Sequence, residues 1–286
     1  MKLGVLVSGN LGNIVLQHLY DKHDIVFVFT DSKSDTIIAF CKDNNIDIFI
    51  GNPRKLNSKD FYEHKAIEVL VSVNYLFIIE KDLIDHPSIL AFNIHGSLLP
   101  KYRGRTPHVW AIINNETKTG ITAHLIDEGC DTGDIIEQIE IQIDNQDTGA
   151  DILNKYNNQY VPLIDTVLHR IENKTLVTQQ QNHSEATYFG KRTPDDGAIN
   201  WNWQKERIYN WVRAQAFPYP GAFTHAGENK IVIDAVAFSN DGYDYDMPNG
   251  LILSVSPLLI KTPNGALEIS KFRAVEFELT IGMVLH

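Results

Sequence analysis

Lys2-Leu3-Gly4-Val5-Leu6-Val7-Ser8-Gly9 opens the chain with an apolar run one strand long, closed by a glycine. The apolar residues are nearly continuous rather than alternating with polar ones, which suits a strand covered on both faces. The same texture returns at 24–30, 47–50, 67–73 and 90–94. Between these runs lie helix-compatible segments at about 13–22, 34–45, 56–64 and 80–86. Alternating strands and helices predict a doubly wound α/β domain with a parallel sheet. Such sheets bind ligands outside the carboxyl ends of their strands.

Two more strands are predicted at 120–126 and 134–143, flanking the loop Asp127-Glu128-Gly129-Cys130-Asp131-Thr132-Gly133. A long helix follows, with Thr148 as cap and Asp151 three residues on. Ile152, Leu153, Tyr156, Tyr160, Ile164, Val167, Leu168 and Ile171 recur at helical spacing along it. Pro162 falls inside this pattern and predicts a kink or a split. Residues 174–200 are polar, including Gln179-Gln180-Gln181-Asn182-His183-Ser184, and read as a linker. An aromatic helix near 204–216 and short strands broken by Pro248-Asn249-Gly250 and Pro263-Asn264-Gly265 complete the chain. These divide it into a larger domain over 1–185, then a linker and smaller, mostly β domain over 186–286.

The 286 residues carry a formal charge of −11. That balance argues against a general nucleic-acid surface, which needs a basic stripe, while leaving room for a local basic pocket. No run reaches the roughly 20 apolar residues of a membrane span. The opening run reads as a strand and not a leader, which places the protein in the cytoplasm. Cys41 and Cys130 form no metal spacing, so neither a metal site nor a disulfide is expected.

The chemistry concentrates in Phe92-Asn93-Ile94-His95-Gly96-Ser97-Leu98-Leu99-Pro100-Lys101-Tyr102-Arg103-Gly104-Arg105. Asn93 and His95 are two apart at a strand end, so both side chains share one face at the mouth of the sheet. A lone histidine there is ordinarily structural. The neighbouring Asn, the following Gly96 and the cations Lys101, Arg103 and Arg105 point instead to an anionic ligand beside a proton-transfer group. Asp131, between Gly129 and Gly133, belongs to a loop able to reach the same sheet edge. The turn Ser8-Gly9-Asn10-Leu11-Gly12-Asn13 could hold a phosphate or sugar, or serve only as a tight strand-to-helix turn. It lacks the G-x-G-x-x-G dinucleotide pattern, and no Walker loop or nucleophile elbow is present.

His95-Gly96-Ser97-Leu98-Leu99-Pro100-Lys101-Tyr102-Arg103-Gly104, with Asp131-Thr132-Gly133 beyond it, resembles the signature of the 10-formyltetrahydrofolate-dependent formyltransferases. Phe189-Gly190-Lys191-Arg192-Thr193-Pro194-Asp195-Asp196-Gly197, Trp201 and Phe217-Pro218-Tyr219-Pro220-Gly221-Ala222-Phe223 extend the likeness, which weakens after about residue 235. Within the family the chain looks most like bacterial nucleotide-linked amino-sugar N-formyltransferases.

The resemblance implies a Rossmann-like catalytic domain with Asn93, His95 and Asp131 as catalytic trio. It implies folate contacts at Phe77, Ile78, Ile79, Arg105, Asp127 and Asp131. It implies substrate contacts at Asn10, Lys101, Tyr102, Arg103, Gly104 and Arg105. Asn93 would donate to the formyl oxygen as charge develops there. His95 would add to this when protonated, or accept the amine proton when neutral, and Asp131 would orient it. The co-substrate would be 10-formyltetrahydrofolate, the partner another copy in a homodimer, and the acceptor a dTDP-amino-dideoxyhexose of surface glycans. Methionyl-tRNA as acceptor fits the two-domain plan but not the acidic charge. A non-catalytic folate- or nucleotide-binding module would not need all three catalytic residues. Trp201, Trp203, Trp211 and Tyr219 are either core residues or platforms for base stacking.

Overall fold

The computed structural model describes residues 1–56, 58–273 and 277–286. They group into two compact units, each described by itself. The first comprises Met1–Gly104, Gly120–Ile141 and Lys155–Tyr188, and the second Arg105–Thr119, Gln142–Asn154 and Phe189–His286. The chain thus passes between units more than once, where a single division after residue 185 was expected.

The first unit begins β1 (Lys2–Val7), α1 (Gly9–Tyr20), β2 (Asp24–Thr30), α2 (Asp35–Asp43) and β3 (Ile48–Ile50). It continues α3 (Lys59–Tyr62), β4 (Val69–Val73), α4 (Lys81–Ile84), β5 (Leu90–His95) and β6 (Arg103–Gly104). After α5 (Pro107–Ile113) come β7 (Lys118–Leu125), β8 (Ile135–Gln142) and α6 (Gly149–Glu172). Seven strands form one sheet in the order β3-β2-β1-β4-β5-β7-β8. β1 to β5 pair in parallel, and β7 runs antiparallel to β5. The continuous apolar texture has its expected cause: Leu3, Val5, Leu6, Val7, Val69, Leu70, Val71 and Val73 are all buried.

The strand order reverses between β1 and β4, where the first strand's neighbours lead to opposite edges. There Gly9 takes φ +65° as α1 begins, and its N–H donates to Ser34 Oγ at 2.9 Å. Asn74, at the end of β4, donates through Nδ2 to the Ser8 carbonyl at 3.0 Å.

α6 runs unbroken for 24 residues through Pro162, so the predicted split does not occur. Proline removes one helical hydrogen bond. Burial of Ile152, Tyr156, Tyr160, Leu163, Ile164, Val167 and Leu168 along one stripe outweighs that loss. The cap forms as expected: Thr148 N–H donates to Asp151 Oδ2 at 2.9 Å, and Asp151 N–H to Thr148 Oγ1 at 3.2 Å.

The segment after α6 is not a free tether. Gln179 exchanges two backbone hydrogen bonds of 2.8 Å with Ile135, and Gln181 is buried. β9 (Tyr188–Phe189) pairs with β6.

In the second unit, α7 (Lys205–Ala214) packs against α5 and against an antiparallel sheet ordered β10-β11-β14-β13-β12. These strands are β10 (Ala222–Ala226), β11 (Asn229–Ser239), β12 (Ile252–Val255), β13 (Leu258–Thr262) and β14 (Gly265–Phe272). Trp201 and Trp211 lie in its core. Their indole N–H groups donate to Thr224 Oγ1 and the Gly197 carbonyl. Trp203 packs edge-on against Trp211, and the Tyr219 hydroxyl lies 2.8 Å from His108 Nε2. Trp201 and Trp211 are thus core residues, while Trp203 and Tyr219 are half-buried.

Candidate active site

The carboxyl end of β5 carries Asn93 and His95. Antiparallel pairing with β7 sets Asn93 opposite His124 and His95 opposite Thr122. The alternation of side chains therefore puts His124 on the same face as the two predicted residues. The loop after β7 then returns Asp131 to that face.

Hydrogen-bond partners fix the roles of these groups. His95 Nε2 lies 2.8 Å from the Tyr102 carbonyl, which can only accept, so Nε2 carries a hydrogen. Nδ1 of the same ring faces Asp131 Oδ2 at 3.5 Å. The ring is thus held between a carbonyl and a carboxylate. His124 Nδ1 lies 2.8 Å from the Leu125 carbonyl, so that nitrogen is the donor. Its Nε2 accepts from Asn93 Nδ2 at 3.2 Å and lies 3.7 Å from Asp131 Oδ1. Burial pushes the His124 pKa down to about 4, outweighing the nearby Asp131 charge, and keeps the ring neutral. A neutral His124 fixes the Asn93 carboxamide, leaving the second Nδ2 hydrogen to meet a ligand.

Asp131 is held below the usual carboxylate range. Burial pushes its pKa upward, but facing His95, a 2.9 Å hydrogen bond from Gly104 N–H and His124 together prevail. The loop that presents it is tightly built. Asp127 Oδ1 accepts from Gly129 N–H at 3.0 Å and from Thr132 Oγ1 at 2.6 Å. A Cβ on Gly133 would sit 1.9 Å from the Leu125 carbonyl oxygen, so only glycine fits.

The structure brings Asn93, His95 and Asp131 together and adds His124, which the sequence reading missed. The signal for it was its strand position, usable only once the pairing of β5 with β7 was known. The two segments expected to contact folate come near one another. Ile79 and Ile126 pack on one apolar cluster, and Lys81 Nζ lies 3.7 Å from Glu128 Oε1. Phe77 rests edge-on against Tyr75, and Ile78 is 63% exposed. Asp127 braces its own loop. Asn10 is exposed in the first turn of α1, and Lys101 and Arg105 are exposed.

Two expected substrate contacts are placed otherwise. Tyr102 is buried and serves through its backbone carbonyl. Arg103 is only 1% exposed, and its guanidinium donates to the Tyr188 hydroxyl and to Gln181 Oε1. Arg103 therefore drops out of the expected cluster of three cations, because it is buried against interior partners, whereas Lys101 and Arg105 are exposed. Gly104 contributes its N–H to Asp131. Among the described residues, no group of acidic, cysteine or histidine side chains could hold a metal ion.

Residues 1–168 match the formyl transferase family model, and residues 191–276 match formyl transferase, C-terminal domain. Among solved structures, the Helicobacter canadensis N-formyltransferase, in complex with folinic acid and dTDP-3-aminofucose, is 22% identical with a TM-score of 0.72. The match covers 96% of this chain and 100% of that one. WlaRD, a sugar 3N-formyl transferase crystallised with dTDP and 5-N-formyl-THF, is 23% identical with a TM-score of 0.66, over 95% and 98% of the two chains. A 4-N formyltransferase from Francisella tularensis is 24% identical with a TM-score of 0.69, over 81% and 96%. At these identities the likeness establishes the fold.

Proposed function

The chain belongs to the formyl transferase family, and from that premise we propose that it formylates the free amine of a nucleotide-linked amino sugar, a dTDP-amino-dideoxyhexose of surface glycan such as lipopolysaccharide O-antigen. The observation that carries this reading is the convergence of Asn93, His95 and Asp131, with His124 behind them, at one strand end. The folate and dTDP ligands of the two structural relatives support the choice of substrates.

10-Formyltetrahydrofolate supplies a formyl group that an amine can attack. The residues present suit its flat heterocycle. Leu76 and Ile78 leave apolar surface exposed, and the Tyr75 hydroxyl is buried without a hydrogen-bond partner. In this reading Asn93 gives its second Nδ2 hydrogen to the formyl oxygen as charge gathers there. His95 takes the amine proton on Nδ1, since Nε2 is committed to the Tyr102 carbonyl, and passes it to the folate nitrogen that leaves as its bond to the formyl carbon breaks. Asp131 stabilises the imidazolium that results and fixes the ring. Lys101 and Arg105 attract the pyrophosphate, and Asn10 lies at the first turn of α1 for sugar or phosphate. The acidic balance of −11 is unsuited to tRNA. We read the protein further as a cytoplasmic homodimer.

The test supplies purified protein with 10-formyltetrahydrofolate and dTDP sugars bearing an amine at C3 or C4. Release of tetrahydrofolate and a mass gain of one CO on the sugar nucleotide are expected. Formylation of initiator methionyl-tRNA with none of the sugars would overturn the assignment. Folate binding without transfer to any amine would make the chain a binding module.

A further inference from the structure

Gln181 lies in the polar segment that looked like a linker, yet it is 4% exposed and its carboxamide is fully engaged. Its Nε2 donates to the carbonyl of Asp131 at 3.0 Å and to that of Gly133 at 2.6 Å. Its Oε1 accepts from Arg103 Nη2 at 2.6 Å. The amide cannot be reversed, because reversal would set its oxygen against two carbonyls and its NH2 against a guanidinium. Arg103, 1% exposed, is itself tied to the Tyr188 hydroxyl and lies 3.2 Å from His183 Nδ1.

The turn that Gln181 grips is strained. Asp131 takes φ +55°. A left-handed backbone is disfavoured for a non-glycine residue. Such a residue keeps that conformation only where its surroundings hold it. The two carbonyls in question belong to the strained residue and to Gly133 two positions on, so one side chain spans the turn. From inside the protein it fixes the residue whose carboxylate faces His95.

We infer that Gln181, anchored by Arg103, is a positioning residue that holds the Asp131 turn so that its carboxylate meets His95. The inference rests on the proposed function, which gives Asp131 its part in formyl transfer. A glutamine of purely structural value would change stability alone. A positioning glutamine also changes turnover and the titration of Asp131, which is faced by His95 of β5, His124 of β7, Gly104 N–H of β6 and the Cys130 thiol of its own loop.

Gln181→Leu keeps the volume and removes the grip. In the folded variant, kcat falls roughly 10- to 100-fold while both KM values stay within about threefold of wild type. Carbon-13 NMR of the Asp131 carboxyl shows titration at higher pH than in wild type, because the loosened carboxylate loses His95 and Gly104. Losing a buried acceptor for Arg103 could prevent folding of that variant. The pair Arg103→Met and Arg103→Met/Gln181→Leu then makes the same comparison without an orphaned buried cation, and the second should show the further loss. A wild-type kcat, or an unmoved Asp131 titration, in a folded variant overturns the assignment. The titration needs no substrate. If wild-type protein formylates no sugar nucleotide, the functional reading fails while the brace is still decided by NMR.

Discussion

Replacing Asp131 by Asn removes one charge and almost no volume, which makes it the most direct probe of the site. The carboxylate oxygen lies 3.5 Å from His95 Nδ1. At that separation two unit charges interact by about 5 kcal/mol at an effective dielectric of ~20. If an imidazolium forms as the amine adds, most of that attraction is present in the transition state and absent from the variant. Each 1.36 kcal/mol is a factor of ten, so kcat should fall by roughly 10²- to 10³-fold, the lower end applying where solvent or neighbouring dipoles compensate. The amide oxygen of the variant can still accept from Gly104 N–H, as Asp131 Oδ2 does at 2.9 Å, so the loop should keep its path. Steady-state assays of tetrahydrofolate release, with the sugar nucleotide and the folate varied in turn, separate kcat from KM. Both KM values are expected to remain near wild type. Turnover within threefold of wild type would refute the claim that the Asp131 charge stabilises protonated His95.

Asn93→Ala should lower kcat/KM by about 10²- to 10³-fold, the usual cost of one donor to a developing oxyanion, with the melting temperature little changed; the same release assay checks it. Arg105→Ala should raise KM for the sugar nucleotide more than kcat falls, and the loss should shrink with added salt, as expected of a phosphate contact. Stability should also depend on pH through His108 and His124. Burial lowers both from 6.5 to about 4, so the unfolded chain binds the extra protons and stability is lost as pH falls from about 6.5 towards 4. Each contributes a slope of up to about 1.4 kcal/mol per pH unit in that window. Urea titrations of wild type and His108→Gln at several pH values should show the slope reduced by about one proton, and an unchanged slope would exclude His108.

The parts legible in the sequence were those whose signal is local. Continuous apolar runs announced the parallel strands, and a spacing of two placed Asn93 and His95 on one face. His124 was hidden because its place depends on β5 pairing antiparallel with β7, a long-range register that no local pattern encodes. Arg103 was misread for a related reason. A basic residue among basic neighbours looks solvent-facing, and only its distant partners Gln181, His183 and Tyr188 draw it inside. Gln181 sat in a stretch polar enough to resemble a tether, although a buried polar side chain is stable wherever every donor and acceptor is met. Pro162 shows the opposite case, since the helix runs through it without splitting. Its tendency to break the helix was outweighed by the apolar stripe of α6.

Strain and function meet at His95. Its two ring nitrogens are addressed by the Tyr102 carbonyl and the Asp131 carboxylate, and both of those residues have left-handed backbones, φ +59° and +55°. At about 1–2 kcal/mol each, this is a sizeable fraction of what holds a domain folded. β5 itself pairs without a bulge, with β4 up to Ile94 and with β7 up to His95. The two strained residues address opposite sides of the ring, with Nε2 held by a neutral acceptor and Nδ1 beside a carboxylate. Asp131→Gly should therefore relieve the backbone while abolishing transfer, and the gain in stability would be offset by whatever the lost ion pair contributed. A proton-exchanging imidazole on an otherwise ordinary strand end becomes useful when one nitrogen is fixed and the other is left poised. The two strained loops, one after β5 and one after β7, create that asymmetry.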